Sequence, residues 1–273
     1  MKYRILAAVA AFATVASLAV APSTVGAGEP GSPTKLNAAL EAGGPFREPA
    51  FTPDGQTVVY LAPQDTAATL ELYAVPIGGG ASTKLNEDLP VGRAVVDFEI
   101  SPDGTRVVYR APRTSSGPVE LFSVPIGGGT PARLSGSLVT GDVGDFQITP
   151  DGSRVVFLAQ GNTADTSELY SRAIDGSGSR VRINDAISAP DQVLEGFIIS
   201  PDSTRAVYRI VDDSLEQFLL FSAYVYGVGS EVVVNGALAA NRDVVGDDFT
   251  ITPDSQAVFY LADQDTDDVF ELY

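Results

Sequence analysis

Thr52-Pro53-Asp54-Gly55 is the first of five copies of one four-residue turn. The other copies are Ser101-Pro102-Asp103-Gly104, Thr149-Pro150-Asp151-Gly152, Ser200-Pro201-Asp202-Ser203 and Thr252-Pro253-Asp254-Ser255. Their aspartates are 49, 48, 51 and 52 residues apart along the chain. Proline presets φ and glycine accepts a positive φ, so each copy is expected to reverse the chain. Five turns in register predict an internal repeat of about 50 residues.

Four short β-rich segments accompany each turn. A first strand precedes the turn, as in Phe98-Glu99-Ile100, and a second strand follows it, as in Val107-Val108-Tyr109. A polar loop then leads to a third strand such as Glu120-Leu121-Phe122, and a glycine turn leads to a fourth such as Ala132-Arg133-Leu134-Ser135. Because β-branched and aromatic residues favour strands, each repeat predicts a four-stranded antiparallel sheet.

The repeated sheet predicts an all-β protein, a β-propeller of four-stranded antiparallel blades. A small sheet cannot bury both faces alone, whereas blades packed around an axis cover one another. A β-sandwich is the competing all-β fold, but it does not require a strict repeat. Five repeats fit either a closed five-blade ring or a fragment of a larger propeller. Thr34-Lys35-Leu36-Asn37 repeats Thr83-Lys84-Leu85-Asn86, so the N-terminal segment could complete the last blade and close the ring.

Residues 1–27 have the pattern of a secretory signal peptide. Lys2 and Arg4 form a short basic region, residues 5–21 are apolar, and Val25-Gly26-Ala27 fits a cleavage site. Residues 28–33 are interpreted as a linker and residues 34–273 as the propeller. A membrane anchor is the alternative, but the apolar stretch is short and lacks a basic stop-transfer flank. We therefore predict a periplasmic or secreted protein without stable membrane insertion after cleavage.

Composition excludes several classes of function. The chain contains 35 acidic and 17 basic residues, a formal net charge of −18, and neither cysteine nor histidine. The charge disfavours nucleic acid as a partner and favours basic partners or metal ions. Without histidine there is no Ser-His-Asp triad, and without either residue type there is no typical zinc or copper site.

The Pro-Asp-Gly turn, the Val-Val-Tyr strand, and the Glu-Leu-Tyr strand with its Gly-Gly-Gly turn together resemble one known repeat. They are similar to the WD-repeat-like blades of TolB-type β-propellers in bacterial exported proteins. The resemblance covers about residues 34–273. It implies a propeller that binds other proteins or small ligands, and some such propellers are non-catalytic domains beside peptidase domains.

A first candidate site is a set of acids near the start of the first strand of each repeat. The members are Glu48, Asp97, Asp145, Glu195 and Asp248. If first strands are innermost, these acids ring one mouth of an axial channel, where they could bind Ca²⁺ or a basic peptide. The alternative is structural, with each acid accepting hydrogen bonds from the backbone of a neighbouring blade.

A second candidate site is the acidic segment Asp263-Gln264-Asp265-Thr266-Asp267-Asp268. It is interpreted as a loop, and the alternating acids Asp263, Asp265 and Asp267 resemble the start of a calcium loop. Asp268 stands where an EF-hand requires glycine, so a solvated acidic loop is the alternative.

The sequence thus favours an exported, non-catalytic propeller that acts as a protein- or ligand-binding scaffold, with Ca²⁺ as the one candidate cofactor. Near-equivalent acids in every repeat do not supply the unlike acid and base that catalysis requires. A hydrolase or lyase that uses the mouth carboxylates is one alternative. A structural segment of a longer repeat protein is another.

Overall fold

The structure, a computed structural model, describes residues 35–37, 39–40, 47–67, 69–138, 141–160, 166–213, 217–227, 229–239 and 242–273. Lys35–Tyr273 forms one compact unit. The predicted signal peptide (1–27) and linker (28–33) lie outside the described residues and stay predictions. Across the described ranges, no helix is long and apolar enough to cross a membrane.

Blades 1 to 3 are four-stranded antiparallel sheets whose strands follow chain order. Blade 1 contains β1 (Arg47–Phe51), β2 (Thr57–Ala62), β3 (Glu71–Pro76) and β4 (Thr83–Lys84). Blade 2 contains β5 (Asp97–Ile100), β6 (Arg106–Pro112), β7 (Val119–Pro125) and β8 (Ala132–Arg133). Blade 3 contains β9 (Val143–Ile148), β10 (Arg154–Ala159), β11 (Glu168–Ala173) and β12 (Val181–Arg182). The predicted four-stranded blades are confirmed here.

Blades 4 and 5 depart from this pattern. Blade 4 contains β13 (Gln192–Val193), β14 (Ile198–Ile199), β15 (Arg205–Asp212), β16 (Gln217–Tyr224) and β17 (Val232–Val233). Its first strand is divided because Gly196, at φ 85°, interrupts the extended backbone between β13 and β14, which both pair with β15. Blade 5 contains β18 (Val244–Ile251), β19 (Val258–Thr266) and β20 (Val269–Leu272), and the described residues place no fourth strand beside β20.

Each turn is held by its own side chains. In blade 1 the Gly55 N–H donates to Thr52 O over 2.8 Å, and the Asp54 carboxylate accepts from the Thr52 hydroxyl and the Gln56 N–H. These bonds, that from Thr52 first, lower the pKa of Asp54. In blade 4 Ser203 replaces the glycine and still adopts a φ of 63°. The turn aspartates therefore cap their own turns.

The core lies between successive blades. Alternate residues of a strand face opposite sides of its sheet, so Val59 and Leu72 of blade 1 meet Val107 and Phe122 of blade 2. The same arrangement recurs between blades 2 and 3, 3 and 4, and 4 and 5. Fully burying one such side chain contributes about 1.5–3 kcal/mol, so each blade depends on its neighbours for stability.

The third and fourth strands of blades 1 to 3 share an ion pair between a buried acid and a partly exposed cation. The three pairs are Glu71 with Lys84, Glu120 with Arg133, and Glu168 with Arg182. Strand register places Leu219 and Val233 at the matching positions of blade 4. The acid and its cation are therefore replaced together by apolar residues in that blade.

Ring closure stays a prediction. Leu36 packs beside Val58 and Tyr60, on the face of blade 1 that points away from blade 2. Leu85, its counterpart in the repeated sequence, packs in the same manner between blades 1 and 2. This is the contact expected from a fourth strand in the blade that precedes blade 1. It favours closure without establishing that β20 is the neighbouring strand.

Candidate functional site

The predicted carboxylates lie at one end of the sheets, which we call the mouth edge. The mouth edge is the end where each first strand begins, and in an antiparallel blade the loop between second and third strands lies at this same end. First strands of successive blades contact each other directly. Gln147 Nε2 of β9 donates to Phe197 O over 2.5 Å, and the Ile148 N–H donates to Glu99 Oε2 over 3.1 Å.

Asp97 and Arg110 form the centre of this edge. They lie opposite each other in β5 and β6, and Arg110 donates from Nε to Asp97 Oδ1 over 2.8 Å and from Nη2 to Oδ2. Arg110 Nη1 also donates to the carbonyls of Val143 and Gly144 in blade 3, over 3.1 and 2.7 Å. The bond to Asp97 raises the pKa of Arg110. Arg110 is therefore a fixed cation that joins blade 2 to blade 3.

Asp145 and Glu195 lie in the electrostatic range of the same arginine. Both carboxylates contribute to the raised pKa of Arg110, after the larger effect of Asp97 and in spite of burial. Asp145 Oδ2 accepts the Gly196 N–H of blade 4 over 3.1 Å, which is the structural role weighed for these acids. Glu195 is exposed. Three of the five predicted acids, from blades 2, 3 and 4, thus act on Arg110, Asp97 by direct contact and the other two at longer range.

The other two acids are not brought into this group by any described contact. Asp248 lies on β18 with an exposed side chain. Glu48 lies on β1, and its side chain is outside the described part of the chain. The ring of five acids stays a prediction, and the described residues bring only those of blades 2 to 4 into range of Arg110.

Sequence reasoning missed one residue of the mouth edge and one partly buried acid further along the same first strand. Arg110 was not singled out, although strand pairing places it opposite Asp97. Glu99, two residues after Asp97, is partly buried on β5, and burial raises its pKa from 4.5 to about 7 despite the hydrogen bond from the Ile148 N–H. The sequence carries no signal for this burial, because Phe98 and Ile100 face the opposite side of the strand and their alternation with Glu99 is typical of a solvated acid.

The acidic segment 263–268 is not a loop. Asp263 and Asp265 belong to β19, and residues 267–268 turn the chain into β20, with Asp268 at φ 60°. The loop prediction is wrong because the second and third strands of blade 5 extend into a hairpin. Asp263 is buried and accepts the N–H groups of Asp243 and Asp268, whereas Asp265 and Asp267 are exposed.

No metal-binding group of three or more acids occurs within the described ranges. The carboxylate of Asp263 is already occupied by two backbone donors, at 2.6 and 3.2 Å. A calcium ion at Asp263, Asp265 and Asp267 stays a prediction that no contact here supports.

Asp263→Ala is expected to lower the free energy of unfolding by about 1–2 kcal/mol, because it leaves the partly buried N–H groups of Asp243 and Asp268 without an acceptor. Asp265→Ala, at an exposed position, is expected to change it by less than about 0.5 kcal/mol. Thermal melts with EDTA measure both. The calcium hypothesis requires a saturable calcium-dependent rise in Tm that Asp265→Ala abolishes. An Asp263→Ala variant as stable as the parent in EDTA would contradict the structural role.

The fold and this site define a β-propeller with an acidic mouth edge. Solved structures similar to the chain include a TolB protein of Agrobacterium tumefaciens, with 20% identity over 83% of this chain and 72% of that one, at a TM-score of 0.47. A puromycin-hydrolyzing peptidase of Mycobacterium tuberculosis matches with 14% identity over 80% and 35%, at 0.52. The tricorn protease matches with 13% identity over 84% and 20%, at 0.53.

These similarities concern the fold. The chain spans 72% of the TolB protein but about a third or less of the two peptidases. No protein-family model and no curated protein sequence matches the chain. The predicted β-propeller of four-stranded blades is confirmed by the sheets and by the structural similarities.

Proposed function

We propose that this chain is an exported, non-catalytic β-propeller that binds a basic segment of a partner protein at its mouth edge. The observation that carries the proposal is the Asp97–Arg110 pair fixed to blade 3, with Asp145 and Glu195 in electrostatic range of the same guanidinium. One of these charges is neutralised by the arginine, and Glu195 stays exposed to solvent. Arg209 occupies the position of Arg110 in blade 4, so three acids lie with two cations, and the remaining negative charge attracts a lysine or arginine side chain.

Rigidity supports a binding role for this edge. The Arg110 guanidinium is held by Asp97 and by two carbonyls of blade 3, and Asp145 is held by the Gly196 N–H of blade 4. Groups that are fixed before binding lose little conformational freedom when a ligand arrives. Export rests on the sequence pattern of residues 1–27 and not on this geometry.

A charge-neutralising pair of substitutions tests the proposal. Asp145→Asn with Glu195→Gln is expected to weaken binding of fluorescein-labelled pentalysine roughly five- to tenfold at low salt, measured by anisotropy, because two charges close to the ligand are removed. Asparagine still accepts the Gly196 N–H, so the fold is expected to be preserved.

The matched control is Asp103→Asn with Asp175→Asn, which removes two exposed charges from turns at the opposite end of the blades. This control is expected to change pentalysine affinity less than about twofold, because general attraction between distant surface charges is screened. An equal loss of affinity in both double variants would show that binding depends only on the net charge of the chain. That result would overturn the mouth edge as a binding site.

A further inference from the structure

Blade 4 differs from the other blades at its outer edge. The outermost strands of blades 1 to 3 carry a cation, namely Lys84, Arg133 and Arg182, but β17 of blade 4 consists of Val232 and Val233. Charged residues on an edge strand hinder pairing with another chain. Val232 and Val233 are 53% and 55% exposed. The outermost strand of blade 4 therefore carries two exposed apolar side chains and no charge.

The backbone of this edge is available for pairing. β17 is the terminal strand of its sheet and pairs only with β16 among the described strands. The Val234 N–H donates inward to Leu220 O over 2.8 Å. Because backbone groups of an antiparallel strand alternate between its two edges, the N–H and C=O of Val233 point outward.

Two exposed tyrosines adjoin the same edge. Tyr224 and Tyr226 are 49% and 56% exposed and line an open cleft of about 460 Å³ with Thr204 and Ser230. Blade 2 has Pro125 and Gly127 at the matching positions of its glycine turn, so these tyrosines are a departure from the repeat.

The tyrosine segment is fixed in place. Val225, between the two tyrosines, is buried, and it donates its N–H to Thr204 O and accepts the Ser171 hydroxyl of blade 3. The Tyr224 N–H donates to Ser230 Oγ over 2.8 Å. The two rings are therefore presented on a rigid backbone, which reduces the entropy lost on binding.

Two arginines lie against the tyrosine rings of the cleft, and Glu231, directly before Val232, accepts the Tyr208 hydroxyl over 2.7 Å. The Arg205 guanidinium lies 4.5 Å from the centre of the Tyr224 ring, and that of Arg154 lies 5.2 Å from the centre of the Tyr226 ring. Arg154 donates from Nε to Ser171 Oγ, and Arg205 donates to Ser222 and Ser230. Neither forms an ion pair with a carboxylate of the described residues. In a chain with twice as many acids as bases, this leaves two cations open to an acidic partner.

We propose that the outer edge of blade 4 binds an extended, acidic segment of a partner protein by strand addition. The partner backbone pairs with Val233, its apolar side chains cover Val232 and the tyrosine rings, and a carboxylate approaches Arg154. Main-chain hydrogen bonds supply affinity in such complexes, and side chains supply specificity. This surface is separate from the mouth edge and has the opposite charge preference.

The probe is a peptide selected from a phage-displayed library of random dodecapeptides on the whole chain, then synthesised with a fluorescent label. We expect it to combine β-branched or aromatic residues with Asp or Glu. Val233→Arg, which installs the blade 3 residue, is expected to weaken binding about tenfold or more. Val181→Arg adds the same charge to the edge of blade 3 and is expected to change affinity less than about twofold.

Two further measurements make the outcome specific. Two versions of the peptide are methylated on alternate amide nitrogens, one at the odd residues and one at the even residues. Only one version is expected to lose binding, because alternate N–H groups of a paired strand face β17. Asp145→Asn with Glu195→Gln is expected to leave binding of this peptide unchanged, so failure here is separable from failure of the mouth-edge proposal.

The proposal is overturned if the selected peptides bind Val233→Arg as tightly as the parent chain, or if no acidic peptide is enriched. It is also overturned if sedimentation velocity shows self-association that Val233→Arg abolishes, since the occupant would then be a second copy. Val233→Arg is expected to melt within a few degrees of the parent, because the side chain it replaces is exposed.

Discussion

Arg182→Val is expected to lower the free energy of unfolding by about 3 kcal/mol, because it leaves the Glu168 carboxylate buried without a cation. Glu168 is 1% exposed and Arg182 is 26% exposed, with 2.8 Å between Arg182 Nη1 and Glu168 Oε1. The other carboxylate oxygen accepts the Tyr170 hydroxyl, which does not neutralise the charge. Urea denaturation at pH 7 measures the change as a lower midpoint at constant slope.

The chain supplies the matched control for this prediction. Blade 4 has Leu219, Phe221 and Val233 where blade 3 has Glu168, Tyr170 and Arg182. The triple variant Glu168→Leu, Tyr170→Phe and Arg182→Val is therefore expected to lie within about 1 kcal/mol of the parent chain, since well-packed apolar residues often replace a buried ion pair without loss. A triple variant as unstable as Arg182→Val would show that packing, not the unpaired charge, determines the loss.

Glu99→Gln is expected to stabilise the chain by about 2–3 kcal/mol above pH 7, because it removes a carboxylate that must ionise while partly buried. Burial raises the pKa of Glu99 from 4.5 to about 7 in the folded chain, and each pH unit of such a shift corresponds to about 1.4 kcal/mol. Glutamine retains an oxygen that can accept the Ile148 N–H, and blade 3 has Gln147 at the matching position of its first strand.

The sign follows from proton binding. Between about pH 4.5 and 7 the folded chain binds more protons at Glu99 than the unfolded chain does, so this residue makes stability fall as pH rises through that window. Below pH 4.5 the parent and Glu99→Gln are expected to be equally stable. Above pH 7 the variant is expected to melt roughly 5–10 °C higher.

Thermal melts from pH 4 to pH 8.5 compare the two chains, with Glu87→Gln as the control for loss of one exposed surface charge. A constant difference between parent and Glu99→Gln over the whole range would contradict a raised pKa. The same would follow if Glu87→Gln reproduced the rise above pH 7, because surface repulsion in this acidic chain would then explain the effect.

The blades were predictable from the sequence because their signals are local and recur. Each Pro-Asp-Gly turn forms its own hydrogen bonds within six residues, as Thr52, Asp54 and Gln56 show. Strand alternation then determines which side chains become core once the neighbouring blade packs on them. The division of the first strand at Gly196 was not predicted, since glycine is compatible with both continued and interrupted strands.

The candidate site was predictable only in part. The spacing of Asp97 and Asp145 from their turns placed both on first strands, but Arg110 lies on a second strand and acquires its role only when β5 and β6 pair. The loop prediction for residues 263–268 is wrong because it rests on an acidic composition that is typical of loops. The structure instead uses Asp263 to accept backbone N–H groups within an extended hairpin.

The sequence by itself determined the repeat, the turns, the strand order within each blade and the acidic character of the chain, because these depend on local conformation and composition. Only the tertiary structure decided that Arg110 pairs with Asp97 and lies in electrostatic range of Asp145 and Glu195. It also decided that Glu99 is poorly solvated and that blade 4 exposes Val233 beside two tyrosines. Those properties arise from contacts between residues that are distant in the chain, and burial and charge proximity depend on such contacts and not on spacing in the sequence.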